Sequence, residues 1–131
     1  MEQIVELGFG KLILRPYAVI AEIYEGSIIE EQQAFTICQV LNEFYQGEPY
    51  CYISNRLYSY SFNPILYKST INKLDNLVGF SVVSSSPARG MIRSIEKMFI
   101  NKKITYYDTL DEALEWAKEK TAGKKAVNHS A

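Results

Sequence analysis

The residues best suited to chemistry cluster around two prolines. Asn63-Pro64 and Ser86-Pro87 each read as a helix start, with the polar residue as cap and the proline in the first turn. Unpaired N–H groups and the helix dipole favour an anion at such a start. Ser84, Ser85 and Ser86 would add hydroxyl donors, and Arg56 and Arg89 charge-assisted hydrogen bonds to a phosphate or carboxylate. The ligand expected there is small and anionic or lipid-like. The same residues would serve equally as ordinary caps and solvated arginines.

A second candidate is the loop holding Tyr58, Ser59, Tyr60 and Ser61, between Leu57 and Phe62. Tyrosine offers a large contact area with a polar tip, which suits docking to a protein partner or a second copy of the chain. Its serines are candidate phosphorylation sites. Rings that merely cover a sheet edge would read the same way.

Other chemistries are poorly provided for. His129 is the one histidine, and Cys38 and Cys51 lie in separate apolar runs, so neither a metal centre nor a Cys-His or Ser-His-Asp arrangement is readily built. The cysteines are expected to be buried free thiols, and no cofactor is expected. A P-loop and a dinucleotide fingerprint are absent. Arg89, Arg93 and Lys97 recur every four residues but are interrupted by Glu96, which fits a solvated helix face. Lys and Arg number 14 against 15 Asp and Glu, a balance that argues against a nucleic-acid partner. The start of the chain lacks a basic, apolar leader, and its apolar runs fall short of a membrane span. The expected location is the cytoplasm.

These residues need a scaffold, and 131 residues suffice for one domain. Strands are expected at residues 3–7 and 11–15, joined as an antiparallel hairpin through Gly8-Phe9-Gly10, and at 18–24. A helix should follow, with Ser27 as its N-cap, Glu30 completing a capping box, and Ala34, Ile37, Cys38, Leu41, Phe44 and Tyr45 as its buried face. A strand at 50–54 then precedes a helix from Asn63 that buries Tyr67, Ile71 and Leu74. A strand at 79–84 leads to a helix from Ser86, and a strand at 104–107 to a last helix capped by Thr109 and Glu112. The alternation predicts parallel pairing through right-handed crossovers. The fold class is therefore α/β: a mixed β-sheet of about five or six strands with an N-terminal antiparallel hairpin and about four helices. The domain is expected over residues 1–122, with a flexible tail at 123–131.

The order of elements, with the phrases Tyr52-Ile53-Ser54-Asn55-Arg56, Tyr60-Ser61-Phe62-Asn63-Pro64, Glu96-Lys97-Met98-Phe99 and Thr109-Leu110-Asp111-Glu112-Ala113-Leu114-Glu115-Trp116, resembles the SpoIIAA-like group of STAS domains, and more closely STAS-like proteins of flavobacteria. The resemblance implies the small α/β fold of anti-sigma-factor antagonists and a serine phosphorylated where the central strand turns into the second helix. Ser59 and Ser61 lie near that place, but the acidic residue and glycine of the family's Asp-Ser-Ser-Gly-like stretch are missing. What the resemblance implies first is a non-enzymatic, regulatory protein-interaction module. It also permits binding of a small anionic or lipid-like ligand near Arg56 and residues 84–89.

Overall fold

The computed structural model describes residues 2–84 and 103–130, with 124–130 as backbone alone. Ser85, Ser86 and Arg89, the helix expected to start at Ser86-Pro87, and the Arg89, Arg93, Lys97 stripe lie outside the described residues.

The elements in chain order are β1 (Gln3–Glu6), β2 (Gly10–Leu14), β3 (Ala18–Ile23), β4 (Ile28–Ile29), α1 (Glu31–Tyr45), β5 (Tyr50–Asn55), β6 (Ser61–Phe62), α2 (Leu66–Ser69), a 3-10 turn (Ile71–Lys73), β7 (Leu77–Val83), β8 (Ile104–Tyr107) and α3 (Leu110–Ser130). Six strands form one mixed sheet in the order β1-β2-β3-β5-β7-β8. The first three pair antiparallel, and β3, β5, β7 and β8 pair parallel. The opening hairpin turns at Gly8, whose φ of 88° lies in the region that favours glycine.

Strand alternation sends consecutive side chains into two cores. Val19, Ala21, Tyr50, Tyr52, Phe80 and Val82 join α1 and the 3-10 turn on one face. Ala18, Ile20, Cys51, Ile53 and Val83 meet Ala113 and Ala117 of α3 on the other. The result is three layers. The segments that connect β3 to β5 and β5 to β7 both pack on the first of these faces. The Tyr45 ring stacks on Tyr50 at 4.0 Å and its hydroxyl donates to the Arg15 carbonyl at 2.8 Å, which anchors the end of α1 to the sheet.

Several local expectations shift. Helix α1 starts later than expected: Glu30 is the N-cap and pairs with Gln33 in a capping box, not Ser27 with Glu30. The reason is tertiary. Ile28–Ile29 pairs in parallel with Ser61–Phe62, and the Ser27 hydroxyl donates to the Phe9 carbonyl at 3.0 Å. The helix expected from Asn63 is one turn followed by a 3-10 turn. Asn63 is not its N-cap, which is Ile65; the Asn63 Oδ1 accepts from the Ile65 N–H at 3.1 Å in a turn just ahead of the helix. The Ser69 and Thr70 hydroxyls then turn back onto the Leu66 carbonyl, at 3.2 and 2.6 Å, an alternative to continuing the helix. The expected apolar face survives, with Ile71 and Leu74 buried and Tyr67 half-buried.

The last helix begins as its sequence demands. Thr109 Oγ1 accepts from the Glu112 N–H at 3.3 Å and donates to Glu112 Oε1 at 2.9 Å. Its helical backbone runs on to Ser130, through the residues read as a tail. Trp116 sits half-buried at the edge of this layer, against Gly79 and Tyr107.

Candidate functional site

The strand-ordered face of the sheet is not filled completely. Between α1, the α2 segment and the carboxyl-terminal halves of β3, β5 and β7 lies an apolar cavity of about 70 Å³. Each wall has a simple origin. Alternation along β5 aims Tyr52 and Ser54 into it, and β7 contributes Phe80. Helical spacing on α1 brings Ala34, Ile37 and Cys38 to the opposite wall. The small β4–β6 pair closes one side with Ile29 and Phe62. Tyr60, Leu66 and Tyr67 complete the lining from the following loop and turn.

Aromatic rings dominate the walls. Tyr52 stacks on Phe80 at 5.1 Å, Tyr67 meets Phe80 edge-on at 6.0 Å, and Phe62 tilts against Tyr67 at 5.5 Å. These geometries suit the ring quadrupole, and each pair adds packing energy beyond its buried area.

A few polar groups meet at the end of β5. Ser54, which is buried, accepts a hydrogen bond from Arg56 Nε at 3.1 Å. Its Oγ lies 3.5 Å from the Tyr60 hydroxyl. The half-buried Arg56 guanidinium lies over the Phe62 ring, 5.6 Å from its centroid, within cation–π range. A cation, two hydroxyls and an aromatic floor thus meet where β5 ends, at the carboxyl edge of the parallel strands. That edge is where open α/β sheets usually take ligands.

Two reactive groups of the cavity, Cys38 and Tyr52, are held in their neutral forms. Burial pushes the Cys38 thiol up to about 11, so at neutral pH it is a small apolar side chain and not a thiolate nucleophile. Burial also raises the Tyr52 hydroxyl far above its ordinary range; Tyr60 and Cys38 push the same way, and the Arg56 charge pulls modestly against them. Among the described residues the lining includes no carboxylate, imidazole or amine. The arrangement is equipped to hold an amphipathic molecule and poorly equipped to transfer protons.

The residues singled out from the sequence divide into three groups. Asn63 and Tyr60 line the cavity, and Arg56 lies beside it, in contact with the lining residues Ser54 and Phe62. Ser84 is buried at the end of β7, its N–H donating to the Tyr107 carbonyl at 3.3 Å, one strand away from Arg56, whose own N–H donates to the Val83 carbonyl. Ser85, Ser86 and Arg89 fall outside the described residues. The expected anion site at the start of the second helix finds only one turn there, too short for a sizeable dipole, with the Ile65 N–H already taken by Asn63.

Leu57 and Tyr58 are 59% and 46% exposed at the loop tip. Ser59 is tied down instead: its N–H donates to Glu25 Oε1 at 3.0 Å and its carbonyl accepts from the Gly26 N–H at 2.8 Å. A phosphate on Ser59 would stand beside the Glu25 carboxylate, an unfavourable like-charge contact. Ser61 is exposed on β6, its N–H donating to the Ser27 carbonyl at 2.9 Å.

Sequence reasoning missed Ser54, Phe62 and Cys38 as parts of a site. Alternation along β5 does place Tyr52 and Ser54 on one face, but the pairing of Ile28–Ile29 with Ser61–Phe62 that closes the cavity leaves no local signature. On the opposite face, Glu22 accepts from Asn55 Nδ2 at 2.8 Å and lies 3.7 Å from the Lys11 ammonium, a satisfied group that ties β2, β3 and β5 together. Among the described residues no cluster of side chains could hold a metal ion, and no helix is long and apolar enough to cross a membrane. Comparisons with protein-family models, with curated proteins and with solved structures find no match.

Proposed function

We propose that this protein is a non-enzymatic binding module, STAS-like in its order of elements, that holds a small amphipathic or anionic molecule in the cavity between α1 and α2. The observation that carries this reading is the combination of an apolar, aromatic-walled cavity with a few polar side chains in its lining, the usual character of a small-molecule site. The neutral Cys38 thiol and Tyr52 hydroxyl, and a lining free of carboxylate and imidazole among the described residues, favour binding over catalysis. The cavity is too small for a whole lipid chain, since drug-sized pockets span roughly 300–1,000 Å³. The ligand is therefore small, or only its tip enters.

The test is ligand-detected NMR against a panel of small alcohols, acids and amines, repeated on Ala34→Leu. Ala34 lines the cavity, and the larger side chain fills it. Binding signals that vanish in the folded variant support the proposal. Signals that survive unchanged refute it.

A second reading, a regulatory protein-interaction module, draws its support from the exposed Leu57 and Tyr58. It predicts self-association or partner binding that Leu57→Ser with Tyr58→Ser abolishes while leaving small-molecule signals intact.

A further inference from the structure

We infer that the cavity takes a short, uncharged molecule whose single oxygen accepts a hydrogen bond from the Tyr52 hydroxyl, as a small alcohol or ketone would. This rests on the ligand-binding reading above and narrows it to a chemical class.

Tyr52 is the polar group that the fold leaves for a ligand. It is 7% exposed and lines the cavity. Three other polar residues of the lining are already engaged. Ser54 Oγ accepts from Arg56 Nε, Asn63 Oδ1 accepts from the Ile65 N–H, and Thr70 Oγ1 donates to the Leu66 carbonyl. Among the described residues the Tyr52 hydroxyl makes no hydrogen bond, and it is not sealed off by neighbouring atoms. Burial keeps it protonated at neutral pH, so it can donate. A hydroxyl held away from water without a partner is costly, and a ligand oxygen removes that cost.

The walls decide charge. Among the described residues the lining carries no charged side chain. Arg56 stands outside it and is engaged by Ser54, by the Phe62 ring and by a further interaction. A carboxylate or an ammonium would therefore enter without a counter-charge in the lining, which costs far more than burying a hydroxyl. A water molecule is the simplest rival. It needs about two to four polar partners, whereas Ile23, Ile29, Ala34, Ile37, Phe62 and Phe80 make much of the wall apolar. A molecule with one oxygen and a short tail suits both surfaces. Size limits the tail. An apolar cavity of about 150 Å³ accepts benzene, which allots roughly 25 Å³ to each carbon. The cavity of about 70 Å³ then holds about three non-hydrogen atoms and excludes a ring.

The experiment is amide-shift NMR on the labelled full chain, titrated separately with xenon, 1-propanol, acetone, 1-hexanol, propionate and propylamine. It is repeated on Tyr52→Phe, which removes the hydroxyl and keeps the ring. Shifts should centre on Tyr52, Ser54 and Thr70. 1-Propanol or acetone should bind about tenfold or more tightly than propionate and propylamine. Either one doing so supports the inference, and the tighter of the two fixes the form of the oxygen. Tyr52→Phe should weaken that binding by about threefold to tenfold and leave xenon within about twofold. From 1-propanol to 1-hexanol the gain should fall well short of about fourfold per added methylene. Propionate matching 1-propanol would overturn the uncharged assignment and leave the ligand-binding reading standing. Unchanged 1-propanol and acetone binding in Tyr52→Phe, or loss of xenon along with them, would overturn the role of Tyr52. The full gain per methylene in 1-hexanol would overturn the size limit. If no probe moves those amides, the ligand-binding reading fails and this inference with it.

Discussion

Gly79 lies in the middle of β7 with its Cα facing the edge of the Trp116 ring. A β-carbon there would stand 2.8 Å from Trp116 Cζ2, 2.9 Å from Cη2 and 3.1 Å from Cys51 Sγ. Carbon atoms pack best at about 3.5–4.0 Å, so either the ring or the strand must yield by roughly 0.7 Å. The strand is held by β5 on one side and β8 on the other, with Gly79 in register with Cys51. The ring is confined on its other side by Tyr107, 6.1 Å away between centroids. Overpacking of this kind costs roughly 2–3 kcal/mol. Replacing glycine in a strand by alanine returns about 0.5–1 kcal/mol through the unfolded chain. Gly79→Ala should therefore destabilise by about 1–2 kcal/mol, lowering Tm by roughly 4–8 °C for a chain of this size. The decisive arm is the double mutant. Trp116→Ala removes the two closest atoms and leaves only the Cys51 Sγ contact, so in that background the cost of Gly79→Ala should shrink to within about 0.5 kcal/mol of zero. Thermal melts followed by far-UV circular dichroism on the four proteins measure both effects. A single-mutant Tm at or above that of the parent, or an equal penalty in both backgrounds, would refute the reasoning.

Two further expectations follow from the same structure. Thr109→Ala removes both hydroxyl bonds to Glu112 and should lower the urea midpoint by an amount equivalent to about 1 kcal/mol, with Thr109→Ser restoring most of it; no change would mean that the cap adds nothing to α3. Alkaline pH should destabilise the fold. Burial raises Cys38 from 9.0 to about 11 and Cys51 to about 12, and raises Tyr45, Tyr50 and Tyr52 from 10.0. In each case the folded state keeps a proton that the unfolded chain releases. This stabilisation is complete below about pH 9 and is lost as pH rises through the folded-state values. Urea unfolding at pH 8, 9.5 and 11 should show a midpoint flat to pH 9 and falling thereafter. A midpoint that climbs above pH 9 would contradict the burial of these groups.

Periodicity made much of the scaffold legible. The β-prone apolar runs at residues 18–24 and 50–54, the apolar stripe of α1 and the Thr109-Glu112 cap are local patterns whose physics needs no distant partner. The same logic yields a mixed sheet of five or six strands, six in the structure, since strands separated by helical segments pair in parallel and the opening hairpin cannot. It also marked Arg56, Asn63 and Tyr60 as polar or aromatic residues near the carboxyl edge of the sheet. The sequence could not say that Ser69 and Thr70 would end the second helix after one turn, because a hydroxyl that bonds back to the Leu66 carbonyl competes with the helix only when packing lets it. Nor could it say that Ile28–Ile29 would abandon the start of α1 to pair with Ser61–Phe62, more than thirty residues away. That pairing sets Ile29 and Phe62 as walls, brings Tyr60 beside Ser54 and lets Arg56 rest on Phe62. A strand's alternation is a property of its own backbone and is written locally. A cavity is the volume that several elements leave unfilled, and only their mutual packing decides where it lies.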